Sequence, residues 1–186
     1  TGAAVADFNG DKLLDFVTCE GSGSRAALFV QYRDSRGNLK LKRQSVIRLK
    51  DGRDLTGQVA KRRATWTESF RPVDWNRDGL VDLVYSTAGS HHGTLEGGSI
   101  YLLMNVGSRT APLFDAPRTM KCYGRSIRIT NHGPHPWVGD YNGDGRPDLA
   151  YLGAPNYLVV RFQPKEGEWS EKFEFRIADI NSIRGN

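Results

Sequence analysis

Cysteine is scarce in this sequence: Cys19 and Cys122 are the only two among 186 residues. Two cysteines cannot build a disulfide framework, and their separation fits no metal motif. They read as two buried thiols or as a single disulfide. Long apolar runs are missing too, since none approaches the roughly 18 residues of a membrane-spanning helix. Helical periodicity is absent throughout, which argues against any α-rich fold. No segment has the make-up of a signal peptide. The chain opens on Thr1-Gly2-Ala3-Ala4-Val5, which reads like the middle of a strand. A piece of a longer protein is therefore expected, with any secretion signal ahead of it. Nucleophile elbows, zinc motifs and phosphate loops are also lacking. With 38 % hydrophobic and 10 % aromatic residues, the chain nonetheless has the material for a packed core.

What is abundant is a repeat. Three windows align: Ala6-Asp7-Phe8-Asn9-Gly10-Asp11-Lys12-Leu13-Leu14-Asp15-Phe16, Val73-Asp74-Trp75-Asn76-Arg77-Asp78-Gly79-Leu80-Val81-Asp82-Leu83 and Gly139-Asp140-Tyr141-Asn142-Gly143-Asp144-Gly145-Arg146-Pro147-Asp148-Leu149. Each follows D-x-N-x-D-G-x-x-D, except that Lys12 stands where the glycine belongs. The first aspartates are 67 and then 66 residues apart, and nine of the chain's fourteen aspartates lie in these windows. One such cluster is an ordinary turn. Three at constant spacing, each with an aromatic at position 2 (Phe8, Trp75, Tyr141), are a repeated device.

The spacing suits calcium. A hard cation takes roughly six to eight oxygens. A tight loop can turn side chains 1, 3, 5 and 9 and the carbonyl of position 7 toward one centre. The candidate ligands are Asp7, Asn9, Asp11, Leu13 and Asp15; Asp74, Asn76, Asp78, Leu80 and Asp82; and Asp140, Asn142, Asp144, Arg146 and Asp148. The leucines and Arg146 act through their carbonyls. Position 6 needs a sharp turn, which glycine makes at positive φ, so Lys12 is expected to weaken the first loop. Up to three Ca²⁺ ions are expected. An EF-hand would need a bidentate Glu at position 12, where Thr18, Tyr85 and Tyr151 stand. Each loop also runs into a short apolar strand rather than a helix, which excludes dockerin modules as well.

Strands are expected before each loop (Ala3–Ala6, Phe70–Val73, Pro136–Gly139) and after it (Leu13–Val17, Leu80–Tyr85, Asp148–Leu152). A third follows a Gly-rich gap (Ala26–Tyr32, Ser99–Met104, Tyr157–Phe162). A fourth is placed at Arg43–Leu49, Ser126–Thr130 and Lys172–Ile177. Four short antiparallel strands per unit describe a β-propeller blade. The fold class is therefore all-β, as about three blades over approximate units 1–66, 67–132 and 133–186. These segments resemble the FG-GAP/VCBS repeats of integrin α-subunits and bacterial secreted proteins. Asn105-Val106-Gly107-Ser108-Arg109-Thr110-Ala111-Pro112-Leu113-Phe114 is similar to the N-x-G-x-x-x-x-P-x-F stretch of bacterial members. The resemblance implies seven or eight blades around an axis, with calcium held between the first and second strands, in a secreted or cell-surface protein. Three blades cannot close such a ring, so remaining blades of a longer chain, or other copies, are expected partners.

All four histidines fall in two loops expected on the face opposite calcium, His91 and His92 in one, His132 and His135 in the other. They are candidates for a ligand site or for acid–base catalysis near neutral pH, against idle solvated residues. Trp137 is either a propeller-core residue or a sugar-stacking platform, while Tyr101 and Phe29 are expected in the core. Charge is uneven. Between Arg33 and Arg71 lie twelve Lys or Arg against Asp34, Asp51, Asp54 and Glu68, a net of +8 within a chain of net +5. Arg43, Arg48 and Lys50 are expected along an outer strand, with Lys61-Arg62-Arg63 in the following link. Such a stripe points to an anionic partner, an acidic polysaccharide rather than nucleic acid, or simply to a charged edge that resists aggregation. The functional expectation is a calcium-dependent binding module for acidic glycans or cell surfaces. The alternatives are part of a polysaccharide lyase or hydrolase with a histidine-lined face, or a protein-adhesion or structural repeat.

Overall fold

The computed structural model describes residues 2–20, 25–55, 69–87, 98–122, 125–129, 136–152, 157–163 and 171–176. They form an all-β, antiparallel structure. The first sheet runs in chain order through β1 (Ala4–Ala6), β2 (Asp15–Cys19), β3 (Ala26–Arg33) and β4 (Leu39–Val46). The second is built on β5 (Ser69–Val73), β6 (Asp82–Ser86) and β7 (Gly98–Leu103). Four two-residue segments follow: β8 (Arg118–Thr119), β9 (Lys121–Cys122), β10 (Arg125–Ser126) and β11 (Arg128–Ile129). The third sheet is β12 (Trp137–Gly139), β13 (Asp148–Leu152), β14 (Tyr157–Phe162) and β15 (Glu171–Arg176). Every strand pairs with its chain neighbour except around β8–β11. The described sheets do not close into a ring.

The sheets are stacked, and alternation along the strands says how. Ala4, Val17, Leu28 and Val30 of the first sheet bury themselves against Phe70, Leu83, Tyr85 and Leu103 of the second. The other face of the second sheet, with Val84, Ile100, Leu102 and Met104, packs on Leu149, Tyr151 and Val159 of the third. Adjacent residues Leu83, Val84 and Tyr85 thus serve two cores in turn, because successive side chains of a strand point to opposite faces. The first strands stand side by side: β1 lies beside β5 and β5 beside β12, and a parallel bridge links Gly2 to Ser69.

Two expected strands sit elsewhere. The fourth strand of the first unit starts at Leu39 rather than Arg43 and ends at Val46 rather than Leu49. The turn Asp34-Ser35-Arg36-Gly37-Asn38 sets its start. The Asp34 carboxylate accepts the N–H groups of Arg36 and Asn38, both at 2.9 Å, and Gly37 takes φ 81°. A second hairpin ends it, with Leu49 N–H bonded to Arg53 O at 2.8 Å. Arg48 and Lys50 therefore lie in that hairpin and not on the outer strand. In the second unit the expected strand Ser126–Thr130 is replaced by two fragments, β8 and β11, both paired to β7. Met120 and Ile127 plunge into the core, and the exposed β9–β10 hairpin loops out between them. The remaining strands lie within about two residues of their expected places, and β14 coincides with Tyr157–Phe162.

Tyr101 packs partly buried against the first core. Phe29 is not a core residue. Along β3 the alternate residues Ala26, Leu28 and Val30 take the inward face, so Phe29 lies on the outward face of the first sheet, opposite Phe16, where it is half-buried. Trp137 likewise lies on the outward side of the third sheet, 44 % exposed, rather than in a core. Cys19 packs against the first core. The Cys122 side chain, and with it any pairing, lies outside the described residues.

Candidate metal centres

All three D-x-N-x-D loops connect the first strand of a sheet to the second, and the sequence folds them alike. The first aspartate accepts backbone N–H groups from the turn ahead. Asp7 takes Gly10 at 2.6 Å and Lys12 at 3.0 Å. Asp74 takes Asp78 and Gly79, both at 3.0 Å. Asp140 takes Gly143 at 2.7 Å, Asp144 at 3.1 Å and Gly145 at 2.7 Å. The asparagine at position 3 donates its amide to the aspartate at position 5, at 3.0, 2.8 and 3.0 Å in turn. That aspartate accepts the N–H of position 7 (Leu13, Leu80, Arg146), at 2.8 Å in every loop. The carboxylates that would repel one another are thus met by the loop's own amide dipoles.

The aspartate at position 9 has a different environment. Asp15, Asp82 and Asp148 are completely buried at the start of the second strand. One oxygen of each accepts the N–H of position 2, from Phe8 (3.0 Å), Trp75 (2.9 Å) and Tyr141 (2.8 Å). The other accepts an N–H from the end of the third strand, from Gln31 (3.0 Å), Asn105 (2.7 Å) and Gln163 (2.9 Å). This residue therefore ties the loop to a strand 15 to 23 residues away. Burial pushes the Asp15 carboxyl above its ordinary value. The amides of Gln31 and Phe8 counter the shift, and the nearby Asp11 and Asp7 add to it. Asp82 is raised in the same way, by burial first and then by Asp78 and Asp74, against the amides of Asn105 and Trp75. The exposed Asp144 is lowered, first by the N–H of Arg146, then by Asn142 and the guanidinium groups of Arg146 and Arg77.

Each loop needs two left-handed residues, and the motif reveals only one of them. At position 6 stand Lys12 (φ 70°), Gly79 (82°) and Gly145 (79°). At position 4 stand Gly10 (80°), Arg77 (61°) and Gly143 (76°). Loop 3 has glycine at both, whereas loops 1 and 2 each force one side chain into a conformation that costs about 1–2 kcal/mol. Changing Lys12→Gly is expected to stabilise the chain by about 1 kcal/mol, the left-handed cost less glycine's extra chain entropy. It should also tighten calcium binding at loop 1 by removing a positive charge. Melting curves in EDTA read the first effect and calorimetry the second. An unchanged melting temperature would show that Lys12 carries no strain.

Two of the position-2 aromatics, Phe8 and Trp75, face the next sheet. Phe8 is 2 % exposed within the first core and Trp75 is half-buried against the second, while Tyr141 remains 47 % exposed. The Asn105–Phe114 stretch is a structural clamp over the loop end of the first sheet. Asn105 Oδ1 accepts the N–H groups of Gly107 (3.1 Å) and Leu113 (3.2 Å), and its amide donates to Val81 O (3.3 Å). A Cβ at Gly107 would stand 2.4 Å from Ala111 O, so no side chain fits there. Phe114 anchors the stretch in the first core, its carbonyl accepting Lys50 N–H at 2.7 Å. Arg109 crosses onto loop 1, its Cγ 3.1 Å from the place a Cβ would take on Gly10.

The donor set suits a hard cation, since the loops offer carboxylate, amide and carbonyl oxygens and neither sulfur nor imidazole. Beyond the effect of burial, the neighbouring acids of the same loop add to the raising of Asp15 and Asp82. Among the described residues no three His, Cys, Asp or Glu side chains are drawn together closely enough to hold a metal ion. The four histidines lie outside the described residues, as does Lys61-Arg62-Arg63. The basic stripe is in part neutralised. Arg43 pairs with Glu20 at 2.6 Å, Arg53 with Asp51 at 2.6 Å, and Arg48 with Asp54 at 3.6 Å. No family model matches the chain, and no curated protein is similar to it.

Proposed function

We propose that this chain is a run of calcium-binding propeller blades of the FG-GAP/VCBS type, acting outside the cell as a binding module for acidic glycans. The observation that carries the reading is the identity of the three loops. The same bond scheme recurs between the first and second strands of three successive sheets, with the acids directed into the turn. Asp7, Asn9, Asp11 and the carbonyl of Leu13 would hold the first ion, and their counterparts in loops 2 and 3 the others. A bound ion would supply the positive charge that the clustered carboxylates lack. Asp15, Asp82 and Asp148 would couple each ion to the sheet behind it. Extracellular calcium is high enough to fill sites of roughly 0.1–1 mM affinity.

The glycan half of the reading rests on β4. Its residues Leu39–Ser45 are exposed, and it is the outermost strand of its sheet. Lys40 and Lys42 point to one side, with the Lys42 ammonium 5.4 Å from the centre of the Tyr32 ring. An aromatic ring flanked by ammonium groups offers a sugar both a stacking face and a partner for its carboxylate. Titration of the chain with oligouronates, in calcium and in EDTA, is the test. Binding that weakens in EDTA and in Lys40→Ala/Lys42→Ala is expected. Equal binding of neutral oligosaccharides, or none of uronates in calcium, would sink the glycan reading and leave the ion sites standing.

A further inference from the structure

We propose that the second and third loops are one coupled unit, joined by a clasp in which Arg77 is the positioning residue. The inference rests on the calcium reading of the loops and goes beyond it.

Two side chains leave loop 2 and grip loop 3. Arg77, at position 4 of loop 2, donates from its guanidinium to the carbonyl of Gly145, at position 6 of loop 3. Trp75, at position 2, directs its indole N–H to the Gln163 side-chain oxygen at 3.0 Å, in the amide orientation that satisfies both groups. Gln163 is itself tied into loop 3. Its N–H holds Asp148 Oδ1 at 2.9 Å, and its carbonyl accepts Arg146 Nε at 3.0 Å. The clasp therefore reaches the third loop at the turn that carries Asp144 and Arg146, and again at the strand end that holds Asp148.

The cost of the clasp indicates a role. Arg77 stands at φ 61°, whereas the same position is Gly10 in loop 1 and Gly143 in loop 3. Loop 2 accepts a left-handed arginine where glycine is easy, and its guanidinium is spent on the neighbouring loop. No described side chain of loop 1 reaches loop 2 in this way; that junction is bridged from the far side by Arg109. An ion at loop 2 would fix the backbone at position 4 and so fix the base of Arg77. The turn at Gly145 would then be ordered before the third ion arrives. Ordering met once by the first ion is not met again by the second, which is positive coupling, and by linkage it acts in both directions.

The test is a mutant cycle with calcium calorimetry on the full chain. Loop 2 is disabled by Asp78→Asn, the affinity of loop 3 is measured with and without this change, and both measurements are repeated in Arg77→Gly. Glycine suits the backbone at position 4, so loop 2 keeps its fold while the clasp is lost. Disabling loop 2 is expected to weaken loop 3 about fivefold when Arg77 is present, the low end of typical couplings, and not at all in Arg77→Gly. Amide exchange in EDTA gives a metal-free reading: the Gly145 and Arg146 N–H groups should exchange faster in Arg77→Gly, while those of Gly79 and Leu80 do not. A fivefold effect that survives Arg77→Gly, or no effect in the parent chain, overturns the coupling. No calcium binding by the parent chain at all overturns the calcium reading and the coupling with it. Unchanged exchange at Gly145 and Arg146 would refute the clasp itself.

Discussion

Removing calcium is expected to lower the melting temperature of this chain by roughly 8–16 °C. At an ion concentration about tenfold above the dissociation constant, each site contributes about 1.4 kcal/mol through RT ln(1 + [Ca]/Kd), hence about 4 kcal/mol for three. A chain of this length loses about 2–4 °C per kcal/mol. The measurement is differential scanning calorimetry in calcium, in EDTA, and in magnesium, which demands a tighter octahedral shell and should restore less. Identical curves in calcium and EDTA would refute the ion sites.

The effect should depend on pH in a defined direction. Asp15 and Asp82 are raised above the ordinary carboxylate value, burial being the main cause. The folded chain therefore binds their protons more tightly than the unfolded chain. Their contribution to metal-free stability is fully present below the unfolded value near 3.9 and is lost as pH rises through the folded values. The lowered Asp34, Asp51 and Asp144 act oppositely, losing their contribution as pH falls, but they are solvent-facing and weigh little. Calcium competes with the protons. The gap between melting temperatures in calcium and in EDTA should therefore narrow as pH is lowered from 7 toward about 4.5, starting above the ordinary carboxylate range.

Replacing Asp82 by alanine should be the most damaging single change in the second sheet. Its side chain is wholly buried and accepts the N–H groups of Trp75 and Asn105. Each buried amide left without a partner costs about 1–3 kcal/mol, so a loss of about 2–5 kcal/mol is expected even in EDTA. Relief of a desolvated carboxylate keeps the loss below the top of that range. Asp82→Asn retains one acceptor oxygen and turns an NH₂ against the other donor, so an intermediate loss is expected. Asp78→Ala is the contrasting variant: its side-chain bonds stay within an exposed loop, so it should weaken calcium binding with little change in EDTA. Equal destabilisation of Asp78→Ala and Asp82→Ala in EDTA would show that the ninth-position aspartate has no special structural task.

Much of this architecture was legible because its signals are local. A D-x-N-x-D turn closes on its own amides, and an apolar run of about five residues after it has few options but a buried strand. Hence the loops and ten of the fifteen strands could be placed from residue types alone. The second sheet's broken edge escaped, because Met120 and Ile127 are apolar in any setting and only the neighbouring sheet decides that both enter one core. The start of β4 was signalled by Asp34-Ser35-Arg36-Gly37-Asn38, a turn whose chemistry is visible once its carboxylate is given the two amides it accepts. Phe29 was misplaced because every residue from Ala26 to Val30 is apolar, and only packing on the second sheet decides that Ala26, Leu28 and Val30 take the inward face.

The sequence by itself determined that three acidic turns recur at one spacing, each leading into a strand of an all-β chain. Only the tertiary structure decided what the ninth aspartate does and where loop 2 ends. Asp15, Asp82 and Asp148 look like four other loop oxygens on paper, yet they sit fully buried, bonded to amides brought from a distant strand. Arg77 looks like a stray charge, yet stacking of the second sheet on the third lays its guanidinium against the Gly145 carbonyl. Both outcomes depend on contacts between residues remote in sequence. Such contacts form only when packed sheets bring strand ends together, and no local pattern of residue types encodes them.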